Sequence, residues 1–143
     1  MRTTVAHLLA SKGKEVWFVP PDATVYDALE VMAEKGVGAL VVLDDGQLVG
    51  IISERDYARK VILLERVAKE TSVRDIMTAE VHTVGATTTV ADCMSIMTER
   101  RFRHLPVMDG DDVTGVISIG DVVKAVIEDQ RFLIEQLEHY ITG

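Results

Sequence analysis

One cysteine, Cys93, stands among 143 residues. A lone thiol excludes an intramolecular disulfide framework and a cysteine-rich metal site, and it suits a reducing compartment, so the cytoplasm is the expected location. No apolar run approaches the roughly 18 residues that a membrane span needs, and the N-terminus lacks the charged-then-apolar pattern of a signal peptide. The expectation is a soluble intracellular protein with no membrane partner. Aromatic residues are few, at 5%, whereas hydrophobic residues make up 48%, so the core must be aliphatic. Positive charge is also short. Fifteen Lys and Arg face 23 Asp and Glu, a net charge of −8. That argues against a general nucleic-acid binder, because phosphate backbones demand spread positive charge. A local basic pocket remains compatible with an acidic chain.

What the chain does have is a repeat. From Val19 to Ile62 and from Val84 to Ile127 one pattern recurs at an offset of 65 positions without a gap. Val25, Asp27, Met32, Glu34, Leu40, Val42, Asp44, Gly50, Ile52, Ser53, Asp56, Val61 and Ile62 match Val90, Asp92, Met97, Glu99, Leu105, Val107, Asp109, Gly115, Ile117, Ser118, Asp121, Val126 and Ile127. Each copy is short for burying a core alone, which suggests a pseudo-symmetric pair with sites at the interface of the copies. We divide the chain into a first repeat with lead-in and connector (1–70) and a second repeat with an extended C-terminal helix (71–143).

The local signals predict a mixed α/β (α+β) fold. Thr4 opens a short helix that Gly13 stops, and Glu15 to Val19 reads as a strand. Thr24 to Asp27 resembles a capping box before a helix that Lys35-Gly36 ends, with Val25, Leu29, Val31, Met32 and Ala33 near one face. Ala39 to Leu43 is a strand covered on both sides, Asp44-Asp45-Gly46 a hairpin turn, and Leu48 to Ile52 the return strand. Ser53 opens a helix with Tyr57, Val61, Ile62 and Leu64 on its apolar side, and Glu65 to Thr71 is a charged connector. Ser72 to Met77 then restates the opening helix, at an offset about three residues longer. The second copy follows with a strand near Val81 to Val84, a helix capped by Thr89, strands at Leu105 to Met108 and Val113 to Ile117, and a helix opening at Ser118. That last helix continues past the repeat through Leu133, Ile134, Leu137, Tyr140 and Ile141 at helical spacing. The extension either packs on its own domain or forms a self-association face, for which a homodimer is the commonest solution.

Two matching turns carry the chemistry: Gly50-Ile51-Ile52-Ser53-Glu54-Arg55-Asp56 and Gly115-Val116-Ile117-Ser118-Ile119-Gly120-Asp121. Each joins a strand to a helix, with a hydroxyl at the turn and a carboxylate three residues later. Singly, each reads as a helix cap. The same geometry aims backbone N–H groups at anions, and a carboxylate there suits the two hydroxyls of a ribose. Gly120 leaves room for a ligand where the first copy has Arg55, so the two sites should differ. The second signal is Arg100-Arg101-Phe102-Arg103-His104 before a buried strand. Arg100 and Arg101 suit a solvated helix end, whereas Arg103 and His104 at the strand entrance suit phosphate. The first copy has the small, uncharged Gly36-Val37-Gly38-Ala39 there. Such an asymmetry fits a nucleotide, with its base at one end and phosphate at the other.

Other candidates are weaker. Trp17 suits core as well as a base pocket, and Lys12-Gly13-Lys14 lacks the pattern of a phosphate loop. Cys93 falls on an apolar helix face and reads as inert. His7, His82 and His139 show no metal-ligand spacing, and Asp109, Asp111 and Asp112 lack the glutamate of a calcium loop. No nucleophile–base pair is evident, so we expect no catalytic residues, no metal site and no enzyme.

These residues together resemble a tandem pair of CBS domains, named for cystathionine β-synthase. The resemblance rests on the doubled element order, on Gly-hydrophobic-hydrophobic-Ser-x-x-Asp ending each copy, on Arg103-His104-Leu105-Pro106-Val107, and on Val73-Arg74-Asp75-Ile76-Met77-Thr78. The stretch Ser53 to Ile62 is similar to small stand-alone bacterial and organellar CBS-pair proteins. The resemblance implies two β-α-β-β-α repeats packed through their sheets, two clefts between the copies, and commonly a disc-shaped dimer. It also implies regulatory binding of adenosine-containing ligands such as AMP, ADP, ATP, NAD or S-adenosylmethionine, with AMP or NAD preferred here. In one cleft Ser118 and Asp121 would meet the ribose, Arg103 and His104 the phosphate, and Val16, Trp17, Val37, Gly38, Ala39 and Val116 the adenine. The other would use Ser53 and Asp56, with His82 and Thr83 near the base and Arg55 toward the phosphate. An unidentified protein partner would receive the signal. The alternatives are a nucleotide-processing enzyme with His104 and Asp121 as reacting groups, and a structural adaptor working through its C-terminal helix.

Overall fold

The computed structural model describes residues 3–13 and 15–142; Lys14 of the Lys-Gly-Lys triplet lies outside them. The elements run α1 (Val5–Lys12), β1 (Phe18–Val19), α2 (Val25–Lys35), β2 (Ala39–Asp44), β3 (Gln47–Ser53) and α3 (Glu54–Tyr57). Beyond α3 come a wide π turn (Ala58–Ile62), a 3-10 turn (Ala68–Glu70), α4 (Val73–Ile76), α5 (Val90–Arg100), β4 (His104–Asp109), β5 (Asp112–Ser118) and α6 (Ile119–Thr142). The expected α/β architecture with two repeats and a long last helix is present. Two strands are shorter than expected. Glu15 to Val19 contributes only β1, and Val81 to Val84 contributes a single parallel bridge from Val84 to Val107.

The chain forms two compact units that do not follow chain order. A terminal unit comprises the described parts of Met1–Lys14 and Gly115–Gly143 together with Thr83–Met108; a central unit comprises Glu15–His82 and Asp109–Thr114. The division into 1–70 and 71–143 thus describes the repeat in sequence, while packing groups the segments differently. In the terminal unit α1 joins the second copy: Val5 and Leu9 are buried with Val84, Val90, Cys93, Met97, Leu105, Val107, Ile117, Val122 and Ala125. In the central unit α4 takes the same place, with Val73 and Ile76 buried among Val19, Val25, Ala28, Met32, Leu40, Val42, Ile52 and Val61. Seven core positions correspond at the repeat offset, from Val19 and Val84 to Ile52 and Ile117. Matching hydrogen bonds tie each opening segment down: Val90 N–H to the Thr3 carbonyl and Val25 N–H to the Thr71 carbonyl, both 2.8 Å.

The glycine that begins each Gly-x-x-Ser-x-x-Asp motif makes this packing possible. A Cβ on Gly50 would stand 2.7 Å from Met77 Sδ and 2.9 Å from the Thr78 carbonyl oxygen. A Cβ on Gly115 would stand 2.6 Å from Leu9 Cδ2. Within the central unit β2 pairs parallel with β1 and antiparallel with β3, placing Ala39 opposite Ser53 and Leu40 opposite Ile52. In the second copy the corresponding strands β4 and β5 form a two-stranded sheet.

The helix after Ser53 differs from expectation. It widens into the π turn after Tyr57, and Leu63 N–H reaches back to the Ala58 carbonyl at 3.2 Å. Val61 is buried, while Ile62 and Leu64, expected on the apolar side, are exposed; Ile127, which matches Ile62 in the regular α6, is exposed as well.

Candidate functional site

In each unit the strand entrance and the strand-to-helix turn are brought together by one backbone hydrogen bond. Ile119 N–H donates to the Arg103 carbonyl at 2.9 Å in the terminal unit, and Glu54 N–H donates to the Gly38 carbonyl at 3.0 Å in the central unit. The first of these bonds sets the backbone of Arg103 beside the turn that carries Ser118, Gly120 and Asp121 at the start of α6. Arg103 and Gly120 are exposed and His104 is half-buried. A Cβ on Gly120 would meet only Ser118 Oγ, at an ordinary 3.6 Å, so the fold itself does not require glycine there.

The two carboxylates face different surroundings. Ser118 N–H donates to Asp121 Oδ2 at 2.8 Å, and Asp121 N–H donates to Ser118 Oγ at 3.2 Å. Lys12 Nζ, at the end of α1, also lies on Asp121 Oδ2 at 2.6 Å and on the Val116 carbonyl at 2.8 Å. Burial pushes the Asp121 carboxyl upward, but the Lys12 ammonium and the Ser118 donors outweigh it, and the group is held below the usual carboxylate range. Lys12 and Asp121 share the wall of a hollow of about 250 Å³ with His7, Ser11 and Lys124.

Asp56 is more enclosed, its side chain 11% exposed against 24% for Asp121. It accepts from Ser53 N–H at 2.9 Å, Ser53 Oγ at 3.0 Å and Thr78 Oγ1 at 3.4 Å, and Lys60 Nζ lies 3.1 Å away. A carboxylate offers about four acceptor positions, so the protein's own donors nearly fill those of Asp56.

The remaining expected residues are spread more widely. Val37 and Gly38 line a hollow of about 280 Å³ in the central unit with Met32, Gly36 and Glu54, and Ala39 begins the adjoining strand. Trp17 packs against the central core and carries the Lys35 ammonium 4.4 Å from its ring centroid; Val16 beside it is half-buried. Val116 belongs to the terminal unit and offers its carbonyl to Lys12. Arg55 and Thr83 are exposed and His82 half-buried. Cys93 is fully buried, and desolvation, aided by the charge of Asp92, pushes its thiol upward. Among the described residues no cluster of three or more His, Cys, Asp or Glu is placed to hold a metal, and no helix is long and apolar enough to cross a membrane.

Sequence analysis gave no site role to Lys12, Lys60, Thr78 or Glu54. Lys60 is four residues from Asp56, a spacing that local helical pairing makes legible. Lys12 and Asp121 are 109 positions apart, and no local pattern signals that pair.

Comparison with known proteins agrees with this architecture. The CBS domain model matches residues 9–63 and 73–128. The mitochondrial CBS domain-containing protein CBSX3 of Arabidopsis thaliana is 45% identical over 99% of this chain and 73% of its own length. A solved structure with CBS domains from Burkholderia ambifaria is 52% identical, covers 90% of this chain and 96% of its own, and superposes with a TM-score of 0.85. A more distant CBS domain pair, 22% identical with a TM-score of 0.80 over 90% of this chain and 99% of its own, was solved in complex with 5′-methylthioadenosine and S-adenosyl-L-methionine. With two matched repeats spanning most of its length, the chain belongs to the CBS domain family, whose pairs are regulatory modules.

Proposed function

We propose that this chain is a regulatory module that binds an adenosine-containing nucleotide, AMP or NAD in preference to ADP or ATP, in a reducing compartment such as the cytoplasm. The observation that carries this reading is Asp121: an ionised carboxylate, partly exposed, seated by Ser118 N–H at a strand-to-helix turn. Such a group accepts from both hydroxyls of a ribose. Arg103 and His104, tied to the same turn through the Arg103 carbonyl, are the phosphate donors. Val116, in the same unit, is assigned to the base. The distant CBS pair that holds adenosine compounds supports the ligand class. Asp56 is assigned the weaker site, with Ser53, Arg55 and His82, because its acceptor positions are already engaged. The output passes through a homodimer or a protein partner.

Calorimetric titration of the intact chain with AMP, ADP, ATP and NAD tests this reading. Binding of at least one is expected, with Asp121→Ala weakening it by about tenfold or more, the scale of a hydrogen bond to a charged group. No binding by any of the four, with melting temperature unmoved, would instead support the adaptor reading, which the exposed apolar face of α6 favours.

A further inference from the structure

Lys12 holds one of the two carboxylate oxygens of Asp121, the group that a ribose would need. Its ammonium donates to Asp121 Oδ2 at 2.6 Å and to the Val116 carbonyl at 2.8 Å. Sugar hydroxyls are donors too, so a ribose whose two hydroxyls span both carboxylate oxygens meets the lysine at Oδ2. The pair lines an open hollow of about 250 Å³, and Lys12 is itself exposed, so it has somewhere to go. Ion pairs this exposed are individually weak and yield readily. Lys12 is also the last residue of α1, and Gly13 follows at φ +103, a backbone turn that lets the chain change direction there. The residue matching Lys12 at the longer offset of the opening helices is Glu80, which cannot donate to Asp56 in this way. The central unit uses Lys60, four residues beyond Asp56, instead, whereas the lysine on Asp121 comes from a helix 109 positions away in sequence.

We propose that Lys12 is an internal competitor for the sugar, so that ligand binding at Asp121 releases the end of α1. The inference rests on Asp121 being the ribose acceptor, and it supplies a route by which occupancy is reported: the C-terminal turn of α1 is pinned in the empty protein and loosened in the loaded one. Adenosine is the probe, because it brings the hydroxyls without a phosphate that a freed lysine would attract. Lys12→Met should bind adenosine about 3- to 10-fold more tightly than the parent, in keeping with a weak ion pair. Lys12→Arg should stay near the parent, and Lys12→Gln should fall between. In the parent, adenosine should also speed hydrogen exchange at Gly13 N–H, which bonds the Leu9 carbonyl at 2.8 Å. Equal affinity in parent and Lys12→Met would overturn the competition and leave the ribose reading standing; weaker binding in Lys12→Met would make Lys12 a ligand contact and overturn it as well. Failure of adenosine and AMP to bind either protein would overturn both readings.

Discussion

Arg101 keeps the backbone conformation of its repeat partner but not its residue type. It caps α5 in the left-handed region at φ 59, where the matching position of the other copy is Gly36 at φ 67. Glycine adopts that conformation freely, whereas a residue with a Cβ is crowded by the following carbonyl. Arg101→Gly should therefore raise stability by about 0.5–1 kcal/mol. The reading is a higher urea midpoint at unchanged slope. A lower midpoint would mean that the arginine side chain makes contacts worth more than the strain. Asp121 and Asp56 make the complementary point. Both were legible as a carboxylate three residues after a hydroxyl, because a capping geometry is local. Their difference in availability was not, because it depends on donors that arrive from elsewhere: Lys12 from α1 and Thr78 from the segment after α4.

At the level of elements, the sequence showed what was local and periodic. α2, α5 and the hairpin strands follow from capping threonines, apolar spacing and turn residues. The exchange of the opening helices was hidden, since two copies with one pattern accept either helix equally well. The clue lay in the two motif glycines, whose missing side chains admit Met77 and Leu9. Ala substitution should destabilise both units, and Gly50→Ala more so, by about 1–3 kcal/mol, because its Cβ would press on the Thr78 backbone carbonyl as well as on a side chain. At Gly115 only the flexible end of Leu9 must yield. Thermal melts of the two variants decide the order; a larger loss at Gly115 would contradict this packing account. The π turn after α3 was equally invisible, because a one-residue change of winding leaves no mark on the apolar spacing before it.

Over the whole molecule, α6 is the element that the repeat does not explain. Every residue from Gln130 to Thr142 is exposed, with Leu133, Leu137, Tyr140 and Ile141 at helical spacing. Of the two readings, packing on its own domain and self-association, only the second leaves this stripe open within the chain. A chain ending at Arg131 keeps Asp129, whose carboxylate accepts the Thr3 hydroxyl at 2.9 Å, so its folded core should remain. Light scattering should find the intact chain dimeric and the shortened one monomeric, with similar melting behaviour once the loss of association is allowed for. A shortened chain that stays dimeric would place the interface elsewhere. The central claim is that an acidic side chain reads the sugar. The direct test is to titrate AMP and 2′,3′-dideoxy-AMP into the parent and into Asp121→Ala. Loss of the hydroxyls should weaken binding to the parent about tenfold or more and leave the variant's affinity unchanged, as expected when two changes remove one interaction. An equal loss in both proteins would contradict the account.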